Sequence, residues 1–329
     1  MPSRPRLTPA MADVRRAVRE SIVGRAEEGD LLLVGLSGGP DSVALAAAAA
    51  FELPRAGMRA GAVVVDHGLQ PGSDRIADAA ADLARRLGLE PVVVHRVDVG
   101  GSGGPEAAAR AARHAAFDDA LDRTGARFVL LAHTLDDQAE TVLLGLARGS
   151  GPDSLSGMDA VSGRRLRPLL AVRRATTHAY CADAGIDAWA DPHNDDEQYR
   201  RVRVRATVLP ALEDALGPGI AEALARTADQ LREDSEALDQ MALEWAEEIA
   251  EHAEAGIALS VSALAAQPAA LRHRLIRLAV HSEFGVTLSR SQTLAVARLI
   301  THWHGQNGVD LPGARVERSD GQLVFSATA

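Results

Sequence analysis

The stretch Leu31-Leu32-Leu33-Val34-Gly35-Leu36 runs without a polar residue into Ser37-Gly38-Gly39-Pro40-Asp41-Ser42, and Val43-Ala44-Leu45 follows. Nothing else in the chain constrains the fold as much. A run apolar at nearly every position predicts a strand covered on both faces. The glycine pair and proline end it, and the alanine-rich segment beyond predicts a helix. In such a strand–loop–helix unit the loop amides and the positive end of the helix converge on one point, which suits an anion. Two glycines alone fit an ordinary turn before a core helix equally well. The whole hexapeptide in this setting favours a nucleotide phosphate.

The unit recurs. Residues 9–28 carry Met11, Val14, Val18 and Ile22 at helical spacing and predict an amphipathic helix before the first strand. Further strands are expected at 61–65, 91–94 and 128–132. Helices are expected from about 73, over 105–123 and over 135–148, with a glycine-rich loop at 100–104. Alternating apolar strands and helices predict a parallel sheet with both faces covered. Ligands of such sheets lie beyond the carboxyl ends of the strands. Three polar segments meet there: 37–42, Asp66-His67-Gly68-Leu69 and 133–140. Residues 149–163, with four glycines, read as a surface loop. Two prolines and two glycines within 210–219 suggest a first domain over 1–215 and a second over 219–329. The second would open with a long helix over 219–256, continue with helices over 262–304 and end in short strands over 308–326.

Composition removes several classes. The chain of 329 residues is long enough for two domains. No apolar run nears the ~20 residues of a membrane span, and Met1–Arg6 has no leader-like apolar core. The single cysteine, Cys181, excludes an internal disulfide and a cysteine-rich metal site. A cytoplasmic location is the resulting expectation. All 35 basic residues are arginine, so there is no lysine for a Walker A loop or a Schiff base. Any cationic side chain that grips phosphate here is an arginine fork. The net charge of −10 is uneven: residues 1–210 hold 26 Arg against 28 Asp and Glu, and the remainder 9 against 17. Local patches therefore matter more than the total.

A carboxylate beside polyphosphate is repulsive unless a divalent cation intervenes, so Asp41 is a candidate Mg2+ ligand. A simple dipole-stabilising charge is the alternative. Ser37 and Ser42 offer hydroxyls to phosphate. Asp136 and Glu140, four apart, and Asp137 and Glu140, three apart, share the first turns of one helix. Such like charges call for a cation or a basic ligand, unless they are a solvated acidic helix start. Glu106, Arg110 and Arg113 lie on one side of the 105–123 helix, where a surface ion pair is the plain reading.

The ordered motifs resemble the tRNA(Ile)-lysidine synthetase family of the PP-loop (N-type ATP pyrophosphatase) superfamily. They are S-G-G-P-D-S, D-H-G-L-Q-P-G-S, E-A-A-A-R-A-A-R-H-A-A-F at 106–117, H-T-L-D-D-Q-A-E-T, Arg148-Gly149-Ser150-Gly151 and Arg167-Pro168-Leu169-Leu170. Trp189-Ala190-Asp191-Pro192-His193-Asn194-Asp195 and Tyr199–Arg205 complete the set, and the resemblance covers about 30–212. It implies a Rossmann-like α/β PP-loop domain with a parallel sheet, followed by a smaller, mainly helical C-terminal domain. It further implies joining of free L-lysine to position 2 of the wobble cytidine of a tRNA(Ile) with a CAU anticodon. That reaction uses ATP and Mg2+, passes through an adenylated tRNA and involves no membrane; a homodimer is one assembly open to it. By the same resemblance, Ser37, Gly38, Gly39, Pro40, Asp41 and Ser42 hold ATP phosphates and Mg2+, and Asp66 and His67 line the adenosine. Arg113, Asp137 and Glu140, with His133 and Asp136 near them, form the lysine and cytidine pocket. Arg201, Arg203 and Arg205 reach phosphates, and Arg272 and Arg274 form an RNA patch in the second domain. His114, Thr134 and Val202 depart from residues common in the family. A cytidine 2-thiolase of the same superfamily is the main rival, but generally needs several cysteines; a silent RNA-binding relative is the other.

Overall fold

The computed structural model describes residues 7–66, 68, 72–97, 105–149, 151–189, 198–253 and 256–328. The expectations for His67, the loop 100–104, Ser150 and residues 190–195, and for the side chain of Glu106, lie outside what is described.

Helix α1 (Pro9–Ile22) starts where Thr8 Oγ1 accepts a bond from the Met11 amide, with Pro9 in the first turn. It buries Met11, Val14, Val18 and Ile22, as their spacing predicts. It stops six residues short of the expected end, because Val23 turns extended and Gly24 is left-handed. Then come β1 (Leu31–Gly35), α2 (Pro40–Glu52), β2 (Arg59–Asp66), α3 (Ser73–Arg86), β3 (Val92–Arg96), α4 (Pro105–Thr124), β4 (Phe128–Leu130) and α5 (Leu135–Ala147). The segment expected to be loop at 149–163 instead holds a short helix α6 (Pro152–Leu155) and β5 (Val161–Ser162), which turns back at Gly163 into β6 (Arg165–Leu166). Strands of two residues are too short to show a period, so the sequence does not reveal them.

The sheet order is β3-β2-β1-β4-β6-β5, parallel throughout except for the β5–β6 pair. Alternation along β1 builds two cores. Leu32 and Val34 join the apolar sides of α1, α2 and α3; Leu31 and Leu33 meet Phe117, Ala120 and Leu121 of α4. Each fully buried leucine contributes about 2 kcal/mol of hydrophobic stabilisation. This fixes β1 at the centre of the sheet, so its loop at 37–42 stands between the chain ends of β2 and β4.

After the sheet come α7 (Arg174–Ala184), α8 (Arg200–Arg203), a π-turn at Val204–Val208, α9 (Leu209–Leu216) and α10 (Ile220–Ile249). The π-turn has a local cause. Pro210 has no N–H to give and its ring crowds the carbonyl four residues earlier. The wider turn, in which the Leu209 amide reaches Val204 O, relieves both.

The chain divides into two compact units, 1–229 and 230–329, so the division falls inside α10 and not at the glycine–proline stretch before it. The second unit adds β7 (Ala250–Ala253), β8 (Gly256–Ser260), α11 (Val261–Ala266), α12 (Ala269–Phe284), α13 (Arg290–Thr301), β9 (Val309–Leu311), β10 (Ala314–Ser319) and β11 (Gln322–Ala327). Its antiparallel sheet, ordered β7-β8-β11-β10-β9, packs Leu259, Val316, Leu323 and Phe325 against Leu275, Ile276, Val280 and Val296. Among the described residues no helix is long and apolar enough to cross a membrane.

Candidate active site

The 37–42 loop is tied across by its serines. The Ser37 amide donates to Ser42 Oγ at 3.2 Å, Ser42 Oγ donates to Gly39 O at 2.9 Å, and the two hydroxyl oxygens lie 3.1 Å apart. Gly38 takes φ +88°, a conformation open to glycine and strained for other residues, and its carbonyl accepts the Trp189 amide at 2.9 Å. Pro40 occupies the start of α2, where a missing N–H is harmless. The loop and the head of α2 thus form the strand–loop–helix unit that the hexapeptide predicts.

Asp41, in the first turn of α2, is gripped from α7. Thr177 Oγ1 donates to its Oδ1, and Arg174 Nε donates to Oδ2 at 3.4 Å. Burial nonetheless pushes the Asp41 carboxyl above its ordinary pKa, against the lowering by Thr177 and Arg174, and neighbouring Asp137 adds to the rise. A carboxylate destabilised in this way gains from an added cation.

Helix α5 supplies the acids. Thr134 caps it in a reciprocal box: Asp137 Oδ2 accepts from the Thr134 amide and from Thr134 Oγ1, each at 2.8 Å. The other oxygen, Oδ1, takes Arg174 Nη2 at 2.7 Å. Burial alone would raise the Asp137 pKa, but Arg174 and the Thr134 bonds outweigh it and hold the carboxylate below its usual range. Glu140 is fully buried and accepts Arg174 Nη1 at 3.1 Å, Arg205 Nε at 2.8 Å and Arg205 Nη2 at 3.3 Å, with Arg201 Nε at 3.5 Å. Asp136 accepts the Arg174 amide at 2.7 Å and so caps α7. A cavity of about 130 Å3 opens beside this cluster. Asp136, Glu140, Arg174 and Arg205 form its polar side, and Leu209, Pro210 and Ala221 its apolar side.

The sequence expectations therefore separate. Asp41, Asp136, Asp137 and Glu140 come together, joined by Arg201 and Arg205. The two arginines face Glu140 in this structure, whereas the sequence resemblance assigns them to phosphate. Arg203 turns away and donates to Gln198 O. Asp66 is buried at the end of β2 and accepts the Gly68 amide at 3.0 Å. His133 follows β4. Burial, then Arg167, Arg110 and Arg201, push its pKa down to about 4 against the pull of Asp137, and its buried Nδ1 has no hydrogen-bond partner among the described residues. Arg113 lies on α4 beside Arg110 and His114, and with Arg165 and Arg167 forms a second cationic group. Burial and these four arginines lower the pKa of His114.

In the second unit, Arg272 and Arg274, expected as an RNA patch, have partners within the unit. Arg274 donates to Asp239 at 2.6 Å and to Ser235 Oγ at 3.3 Å, and Arg272 donates to Gln267 O at 3.4 Å. Sequence reasoning also misses Arg174 and Thr177. The available signal is helical: Arg174, Thr177 and Cys181 lie three and four apart, a polar seam turned toward α2.

A PP-loop domain model matches residues 11–212, and a TilS substrate binding domain model matches 259–324. A protein of Leifsonia xyli subsp. xyli named tRNA(Ile)-lysidine synthase is 66% identical over 298 residues, covering 90% of each chain. The chain belongs to the tRNA(Ile)-lysidine synthase family. Another protein of that name, from Thermobifida fusca, is 52% identical over 324 residues, covering 97% of this chain and 98% of its own. Among solved structures, the U34-tRNA thiolase NcsA from Methanococcus maripaludis, with its [4Fe-4S] cluster, superposes with a TM-score of 0.59. It is 19% identical, over 68% of this chain and 80% of its own, so it shares the fold. The two family models fall one in each compact unit: the PP-loop match in the parallel-sheet unit, the TilS match in the antiparallel-sheet unit.

Proposed function

We propose that this chain is a tRNA(Ile)-lysidine synthase that uses ATP to replace the position-2 oxygen of the wobble cytidine, in a tRNA(Ile) with a CAU anticodon, by the ε-amine of free L-lysine. The observation that carries this reading is the acid pair Asp137–Glu140, of which Glu140 lines a cavity with an apolar wall, joined through Arg174 to the phosphate loop. An ammonium group on a four-carbon stem matches such a site. The carboxylates suit the charge, and Leu209, Pro210 and Ala221 suit the methylenes.

Two displacements complete the reaction. The cytidine O2 attacks the α-phosphorus of ATP, the bond to the β-phosphate oxygen breaks, and pyrophosphate leaves. The lysine ε-nitrogen then attacks C2, the C2–O bond breaks, and AMP leaves. The amides of Gly38, Gly39, Asp41 and Ser42, at the loop and the head of α2, receive the phosphates, and Ser37 and Ser42 supply hydroxyls. The acid pair holds the amine against C2 and is placed to take its proton. The donor set fits Mg2+: one or two carboxylates plus phosphate oxygens satisfy this hard ion, and burial makes Asp41 a carboxylate that a cation would stabilise. Mg2+ held by Asp41 would neutralise charge on the departing pyrophosphate.

The thiolase alternative meets a chemical obstacle. Cys181, the only cysteine, is buried, and burial together with Asp41 pushes its thiol up to about 11, far from a nucleophilic thiolate at neutral pH. The decisive experiment supplies ATP and labelled lysine with tRNA(Ile) CAU or tRNA(Met) CAU. Label in tRNA(Ile) alone is expected. Label in neither overturns the assignment, and equal label in both removes the specificity while leaving the chemistry.

A further inference from the structure

The Arg174 guanidinium has an unusual position. Among the described residues of the cluster, it is the one side chain that bonds carboxylates on both sides of the site: Asp41 in the phosphate-loop helix at 3.4 Å, and Asp137 at 2.7 Å and Glu140 at 3.1 Å in the acid pair. It also borders the cavity. Its backbone is fixed, because its amide caps onto Asp136 at 2.7 Å. The acid pair is already satisfied without substrate. Arg205 chelates Glu140 through two nitrogens, Arg201 stands at 3.5 Å, and Arg174 completes Asp137. With Arg173 standing 3.5 Å from Asp136, the four carboxylates of the cluster face four guanidinium groups, so among the described residues another cation entering the pocket finds no unmatched charge.

We propose that Arg174 occupies the seat of the lysine ammonium group until ATP arrives, and that this exchange makes lysine binding depend on nucleotide. The proposal rests on the reading of Asp137 and Glu140 as the lysine pocket. The charge arithmetic supplies the switch. ATP brings about four negative charges to the loop that Arg174 already borders through Asp41. The guanidinium is drawn toward the phosphates and keeps its charge-assisted bonds there. Asp137 Oδ1 thereby loses its 2.7 Å partner and Glu140 Oε1 one of its two donors, while Thr134 still holds Asp137 Oδ2 and Arg205 still holds both oxygens of Glu140. Arg205 is not suited to be the gate, because its carboxylate partners are Asp137 and Glu140 and Asp41 is not among them. Arg174 is on this account a positioning residue that orders the two half-reactions: lysine is admitted only once a nucleotide is in place to activate the cytidine. Linkage makes the coupling reciprocal, so lysine must tighten ATP by the factor by which ATP tightens lysine.

The test measures lysine binding calorimetrically to the full chain, with and without the non-cleavable analogue α,β-methylene-ATP and Mg2+. For the wild type the analogue is expected to tighten lysine at least tenfold. In Arg174→Gln, free enzyme is expected to bind lysine without nucleotide, and the analogue to change its affinity by less than about twofold. Arg174→Lys keeps the charge but lacks the planar fork whose three nitrogens reach the separate carboxylates; it is expected to retain a reduced dependence, and it carries the test if the glutamine variant does not fold. Equal lysine affinity of the wild type with and without analogue overturns the gate and leaves the pocket assignment standing. An undiminished nucleotide effect in Arg174→Gln also overturns it. Failure of every form to bind lysine under any of these conditions overturns the pocket assignment, and the gate with it.

Discussion

Substituting Glu140 by glutamine is the sharpest probe of the acid pair. The side chain is fully buried and receives Arg205 Nε at 2.8 Å, Arg174 Nη1 at 3.1 Å and Arg205 Nη2 at 3.3 Å. Glutamine keeps the shape, removes the charge and turns one acceptor oxygen into an NH2 donor. At least one guanidinium group then meets a donor where it had an acceptor. A hydrogen bond to a charged group contributes about 1.5–3 kcal/mol, against about 1 kcal/mol for a neutral one. With one of these bonds broken and another weakened, the folded state should be destabilised by about 3 kcal/mol, in the range for opening a buried ion pair from one side. The substrate effect is separate. Removing one charged partner of the ammonium group, about 2 kcal/mol, corresponds to a rise of about 30-fold in the lysine KM. Urea denaturation reads the first quantity, and transfer of labelled lysine at graded lysine concentration reads the second. A stability within about 1 kcal/mol of wild type, together with an unchanged lysine saturation curve, would refute both the electrostatic account of Glu140 and its place in the pocket.

Asp41→Ala should abolish tRNA-dependent pyrophosphate release, whatever the lysine concentration; near-normal release would remove Asp41 from phosphate chemistry. Gly157 has φ +69°, and a Cβ there would lie 2.6–2.8 Å from the amide of Gln138. That amide pairs twice with the Met158 backbone, at 2.7 and 3.0 Å. Gly157→Ala should therefore cost about 1–2 kcal/mol in left-handed strain and about 1–3 kcal/mol more in unpaired buried groups, read by urea denaturation. The fourth prediction concerns pH. His133, held down to about 4 by burial, binds fewer protons folded than unfolded between about pH 4 and 6.5, so stability falls as pH drops through that window. The contribution is about 3 kcal/mol when complete, and His133→Gln should flatten the acid limb of the stability profile. A profile of unchanged slope would show that His133 does not carry it.

Much of the first unit can be read directly from the residues, because its central strands are apolar without interruption and its phosphate loop is marked by the whole hexapeptide 37–42 between strand and helix. The acid cluster is equally visible, since helical spacing alone brings Asp136, Asp137 and Glu140 together. What those acids touch is not visible. The Arg174 partner of Asp41 lies 133 residues away in sequence, on a helix whose polar seam resembles an ordinary surface. Charge counting likewise does not show that Arg274 is matched by Asp239, 35 residues earlier. Nor does it show that Arg201 and Arg205 point at a buried glutamate, because arginine near phosphate chemistry reads first as a phosphate ligand. The glycine–proline stretch at 217–219 marks the start of a helix, and the compact units part ten residues farther on, where composition does not change.

The ring of guanidinium groups around Glu140 has a practical consequence. A chain without lysine contains no side-chain ammonium group, so apart from the α-amino group of Met1 it carries no primary amine. Nitrogen-labelled lysine added to unlabelled protein would give an ε-nitrogen resonance that belongs to the substrate alone. Its titration with pH, followed in place beside the acid pair, would report directly on the protonation of the nucleophile.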